Sequence, residues 1–307
     1  MIADRTQLAA KSEETEGTAE TLAGADALLV ANPVFRPDTP MNERPNVGAS
    51  LSPFSAVPGA RHAVMEFDVE LKGSGAAGTA PEYGTLLKAC GFSETVVEST
   101  SVTYAPASSS IPSLTMAFYM DGVCKKIWGA RGDVSLKLDH GGIAWLHFVF
   151  TGADFSVTDV ALLTSGVSYQ TTVPPAFLSA NFQLQSYAAV MQTLEIAMNN
   201  ELALRPDVNQ ASGYLSARIA RRRPTLTFDP ELVTVATHDF YGILRAGTLG
   251  ALTAAVGATA GNICTITAPK VQYTTISPGD RSGIRTEGID CKLSRNSGDD
   301  ELSLAFT

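Results

Sequence analysis

Apolar residues along the chain recur mostly at every second position, the spacing of strands with one buried face. The clearest run is 62–72, HAVMEFDVELK, where Met65, Phe67, Val69 and Leu71 face one way and Glu66, Asp68, Glu70 and Lys72 the other. It predicts a strand whose free face is wet and acidic. The stretch 132–151, GDVSLKLDHGGIAWLHFVFT, reads as strand, polar turn and strand. A similar pattern closes the chain at 288–307, GIDCKLSRNSGDDELSLAFT, with Leu302, Leu304 and Phe306 echoing Leu146, Phe148 and Phe150. Two hairpins half a chain apart predict a tandem duplication.

Further strands are expected at 25–34, 95–104 and 113–128, the last turning at Asp121-Gly122, a strong hairpin dipeptide. Segment 81–90, PEYGTLLKAC, reads as a short helix, with Pro81 in its first turn and Gly91 as its left-handed stop. In the second half a strand region at 187–198, a polar excursion at 199–213 and a partner strand region at 214–228 broken by Pro224 precede HDFYGILRAG, which matches the first helix. The expected fold is therefore mainly β, a sandwich or barrel with a short flanking helix, in two tandem copies. The expected divisions are an amino-terminal arm at 1–24, a first domain at 25–170, a linker at 171–180 around Pro174-Pro175, and a second domain at 181–307. Within the first domain, Pro33, Pro37, Pro40, Pro45, Pro53 and Pro58 stud a stretch at 33–59. Proline removes a ladder donor, so this loop should leave the sheet and serve as a contact arm.

The length of 307 residues also suits two domains. Hydrophobic residues make up 45% and charged residues 17%, the balance of a globular chain able to fill real cores. A formal net charge of -9 argues against a surface built to grip phosphates. The sequence has no apolar run long enough to cross a bilayer and no signal-peptide core, so no membrane association or export by that route is expected.

Chemistry-bearing patterns are sparse. Cys90, Cys124, Cys264 and Cys291 lack metal-ligand spacing and read as small buried hydrophobes. His62, His140, His147 and His238 fall in no ligand motif, and the glycines of GSGAAG depart from the dinucleotide fingerprint. No catalytic residue, metal or cofactor is assigned. Arg218, Arg221, Arg222 and Arg223 form the one basic cluster; without interleaved aromatics it reads as a solvated face, or as the charge partner of the Glu66–Asp68–Glu70 stripe across a domain or subunit boundary.

The chain resembles the major tail tube proteins of long-tailed bacteriophages, in the duplicated, two-domain form. The resemblance lies in the polar KSEETEGT, in VMEFDVELKGSG running into APEYGTLLKACGF, in SVTYAPASSSIPSLTMAFYMDG, in GARGDVSLKL, and in the closing GDDELSLAF. It implies a non-enzymatic virion protein, assembled in the host cytoplasm, whose copies form rings with a continuous inner β-barrel, stacked into a hollow tube that conducts DNA without binding it specifically. A chain with two such domains needs three copies for a pseudo-six-fold ring. Implied partners are further copies of itself, the tape measure in the lumen, the tail terminator and the distal tail protein. On this reading Glu66, Asp68 and Glu70 are candidates for the lumen face. Pro37, Asp38, Met41, Glu43, Arg44 and Phe54 are candidates for the inter-ring arm. The alternative is a tail-tip or baseplate β module that binds a receptor or carbohydrate.

Overall fold

The computed structural model describes residues 2 and 4–307. The expected arm at 1–24 gives way at once, because Thr6–Ser12 forms strand β1, paired over its whole length with the strand Leu114–Met120. Leu8 and Ala9 are both fully buried although they point to opposite faces. Small side chains covered on both sides produce no polar-apolar alternation, which hides the strand from pattern reading. Strand β2 (Ala27–Leu28) pairs with the other edge of β1.

Strand β3 (Ala31–Asp38) carries Pro33 and Pro37 yet pairs with the acidic-striped strand that follows, so the proline-rich excursion begins later than expected. Among the described residues no strand pairs with its outer side, the one place in a sheet where proline is tolerated. Beyond it, β4 (Met41–Asn42) and β5 (Val57–Pro58) make a separate two-stranded pair at the root of an exposed loop. Strand β6 (His62–Glu70) follows the predicted alternation: Ala63, Met65, Phe67 and Val69 are buried, and their neighbours are half-exposed. Helix α1 (Gly84–Ala89) buries Leu86 and Leu87 and ends at Gly91 with φ +87°.

The single strand region expected at 95–104 is a tight hairpin, β7 (Phe92–Val97) and β8 (Ser101–Pro106), turning through Ser99 at φ +55°. Strand β9 (Leu114–Met120) then turns at Asp121-Gly122, both at positive φ as the sequence predicts, into β10 (Gly122–Asp139). A bulge between Ile127 and Ala130, with Gly129 at φ +61°, bends β10 from one sheet into the other. Its first stretch lies between β9 and β12 (Asp154–Val160), and its second pairs with β11 (Trp145–Gly152), the hairpin expected at 132–151.

The second half comprises β13 (Gln183–Leu184), β14 (Thr193–Ala197), β15 (Asn200–Pro206), β16 (Tyr214–Arg222) and β17 (Thr225–Phe228). After these come α2 (Phe240–Ala246), β18 (Leu249–Val256), β19 (Cys264–Arg281), β20 (Ile284–Ser294) and β21 (Ser303–Phe306). Residues 200–206 of the expected polar excursion at 199–213 form strand β15, paired with β16 in a long hairpin. Asp239 caps α2 by accepting from the Gly242 amide, and Gly247 stops it in the left-handed region.

The closing hairpin expected at 288–307 does not form. β20 and β21 lie one after the other along the same side of β19, and β21 is held on its far side by β8. Alternation fixes which face of a strand is buried but not which strand lies beside it.

Among the described residues most strands join one barrel-like antiparallel system. Within the ladder the halves meet where β10 pairs with β14 and where β8 pairs with β21. A hydrophobic core crosses that boundary: Phe306 packs edge-on against Tyr104 and Tyr83, with ring centroids 5.9 and 6.2 Å apart. Within the first half Phe67 meets Phe118 of the facing sheet edge-on at 6.0 Å, as in a sandwich.

Candidate functional site

Six strands from both halves, β6, β11, β10, β14, β17 and β20, lie side by side in one sheet. One row across them reads Val69, Leu146, Leu136, Ile196, Leu226 and Cys291, every member buried. The adjacent row, on the opposite face, reads Glu70, Trp145, Lys137, Glu195, Thr227 and Asp290. Two residues along, the row reads Asp68, His147, Ser135, Ala197, Thr225 and Lys292. The strand period of two thus converts six separate alternations into one broad polar surface over a dry core.

Glu66, Asp68 and Glu70 all lie on that surface, with side chains 25, 21 and 33% exposed. They are not bare charges. Asp68 accepts from Asn32 Nδ2 at 2.7 Å and lies 2.6 Å from His147 Nδ1. Glu66 is paired with Arg36 and lies 3.6 Å from His147 Nε2, and Glu70 is 3.4 Å from Lys72 Nζ. His147 is therefore part of the stripe, a contact the sequence conceals because its two partners sit about eighty residues away. Glu195, Asp139 and Asp290 extend the acidic surface across the other strands, against Lys137 and Lys292.

The arm candidates divide. Pro37 and Asp38 belong to β3, opposite Ala63 and His62, and so sit on the sheet edge. Met41, in β4, and Phe54 are exposed, as are Glu43 and Arg44, and the Arg44 guanidinium lies 5.3 Å from the Phe54 ring centroid. At the tip, Val47 is 99% and Leu51 106% exposed, so neither side chain is covered by the rest of the chain.

The arginines find carboxylates within the chain, and not those of β6. Arg218 lies 3.3 Å from Glu16, Arg221 lies 3.9 Å from Glu201, and Arg222 pairs with Glu301 and, at 2.8 Å, with Asp299. Arg223 is exposed and, among the described residues, forms no ion pair.

The Glu16 hub escapes pattern reading altogether. Arg131, only 7% exposed, holds it at 2.7 Å, Arg205 at 3.2 Å, and Ser216 Oγ donates to it at 2.8 Å. Partial burial opposes its ionisation, but the Arg131 and Ser216 hydrogen bonds win and hold the carboxyl at about 2. Nearby Glu13 accepts from Ser113 Oγ, Thr115 Oγ1 and the Gly129 amide. Gly17 brings this turn so close to β16 that a Cβ there would meet the Leu215 carbonyl oxygen at 2.3 Å. The polar amino-terminal segment thus locks the β10 bulge to the second half.

The four cysteines are unpaired and buried, and burial pushes the thiols of Cys90, Cys264 and Cys291 upward. Among the described residues no group of three or more His, Cys, Asp or Glu is arranged to hold a metal ion, and no helix is long and apolar enough to cross a membrane.

The family model described as phage tail tube protein matches residues 3–306. The chain belongs to this family. No curated protein matches it. For a phage tail tube protein the relevant chemistry is that of the surfaces that meet other copies and other tail proteins. The broad polar sheet, the exposed apolar loop tip and the sheet edges left unpaired among the described residues are the surfaces this chain offers.

Proposed function

We propose that the protein is the subunit of a hollow tail tube, in which three copies close into a pseudo-six-fold ring and stacked rings form the conduit for DNA. The polar face of the six-stranded sheet lines the bore. The observation that carries this reading is that face itself: strands of both halves present one continuous polar surface, and its mates on the reverse side are buried. Carboxylates at 66, 68, 70, 195 and 290 outnumber the lysines among them. A polyanion passing such a wall finds few cations to exchange for its counterions and slides without being held. The loop between β4 and β5 reaches the next ring with Met41, Val47, Leu51 and Phe54, while the tape measure occupies the bore before DNA does. The tail terminator and distal tail protein cap the two ends of the tube.

Replacing Asp68, Glu70 and Glu195 together by lysine tests the bore. Tubes should still assemble, because these side chains point away from the core, and DNA release from reconstituted particles should slow. Release at the parental rate would reject the lumen assignment.

A further inference from the structure

Two strands of equal length, β10 and β19, 18 residues each, repeat one pairing scheme. The first stretch of β10 lies between β9 and β12, and its second stretch pairs with β11 on the side that β12 occupies. The first stretch of β19 lies between β18 and β21, and its second stretch pairs with β20 on the side that β21 occupies. The schemes diverge at one edge. On β10, residues Ser135 to Asp139 are taken by β14, a strand of the following half that itself pairs with β17. On β19 the corresponding edge, 274–281, has no strand beside it among the described residues. In the first half, the strand that lies beside β6 as β14 lies beside β17 is β3, whose outer edge is also free.

The helices show the same asymmetry independently. α1 is closed in by the half that follows it: Asn200 Nδ2 donates to the Cys90 carbonyl at 2.7 Å, and Phe306 packs on Tyr83. Of α2 only Phe240 is buried. Tyr241 is 49% exposed, with Leu249 and Ile284 similarly open.

We infer that the 274–281 edge of β19 pairs antiparallel with β3 of a second copy, repeating between chains the β10–β14 joint made within one. The same copy's first half covers α2. This rests on the ring reading: three internal joints alternate with three between chains, and the sheet continues around the bore. Polar-face residues Thr275 and Ser277 then meet Val34 and Arg36, and the half-buried Ile276 and Phe35 extend the core across the joint. Pro33, Pro37 and Pro278 withhold donors from both edges, so only a short ladder in one register forms and indiscriminate edge pairing is suppressed. The internal model of this joint is equally short, spanning five residues from Ser135 to Asp139.

The test mixes two proteins with one introduced cysteine each, one carrying Thr275→Cys or Ser277→Cys and the other Val34→Cys or Arg36→Cys, under mild oxidation. The natural cysteines are buried, and the unsubstituted protein serves as control. Circular dichroism and thermal midpoints matching the parent establish that each variant folds, as expected for exposed positions. At least one same-face mixture should give disulfide-linked dimers, because directly opposed strand residues have Cβ atoms about 5 Å apart. The corresponding double variants should give linked trimers. Rings or tubes visible by electron microscopy without cross-linking in any same-face mixture would overturn the edge pairing and leave the ring reading standing. Cross-linked pairs from a protein that never forms rings would support the pairing and overturn the ring. Neither rings nor cross-links would overturn both.

Discussion

The tip of the loop between β4 and β5 gives the sharpest test of assembly, because its effect on folding and its effect on association separate cleanly. Val47 and Leu51 are 99% and 106% exposed, so truncating both to alanine removes no contact within the subunit. Subunit stability should change by less than about 0.5 kcal/mol. If assembly buries both side chains, each contributes about 1.5–3 kcal/mol. Alanine keeps part of that, which leaves a loss of about 3 kcal/mol for the pair, or about 100-fold in the concentration at which tubes appear. Sedimentation of a dilution series measures that concentration, and thermal unfolding of the dilute subunit supplies the control. Tubes forming at the parental concentration would refute the arm. A fall of several degrees in the subunit's thermal midpoint would refute the premise that the tip is free.

Other outcomes follow from the interior. Glu16→Gln leaves the buried Arg131 guanidinium without its counterion and should cost about 2–3 kcal/mol, read by denaturant unfolding. The folded carboxyl sits at about 2, below its ordinary 4.5, so its stabilisation is complete above 4.5 and is lost as pH falls from there toward 2. The stability gap between parent and Glu16→Gln should therefore be constant at neutral pH and close through that acid window; a gap independent of pH would contradict the hub. Phe67→Ala, which removes a fully buried ring stacked on Phe148 and Phe150, should cost about 3–5 kcal/mol in the same measurement. Gly129→Val forces a β-branched residue to φ +61° at the β10 bulge, costing about 1–3 kcal/mol, whereas Gly141→Ala, in an open turn, should cost less.

What the sequence disclosed, and what it withheld, divides along one physical line. Features set by a residue's immediate neighbours were legible: the alternation of β6, the turn at Asp121-Gly122, both short helices with their glycine stops, and the common face of Glu66, Asp68 and Glu70. Features set by distant partners were not. β21 alternates identically whether it returns along β20 or lies between β19 and β8, so its placement could not be read from Leu302, Leu304 and Phe306. β1 escaped because alanines buried on both faces carry no period. The acidic run around Glu13 and Glu16 looked like a solvated arm because the arginines and hydroxyls that hold it lie about a hundred or more residues onward. The basic cluster reads from sequence as a solvated face or as the partner of the β6 stripe, and the carboxylates beside it, Glu16, Glu201, Asp299 and Glu301, lie on other elements that its own pattern does not mark.

Electron cryomicroscopy of tubes grown from the purified protein tests the central claim most directly. Rings of three chains should appear, with Glu66, Asp68, Glu70 and Glu195 facing the bore and the loop between β4 and β5 seated on the next ring. Tubes whose polar sheet faces outward, or a protein that stays as single subunits at every concentration, would contradict it.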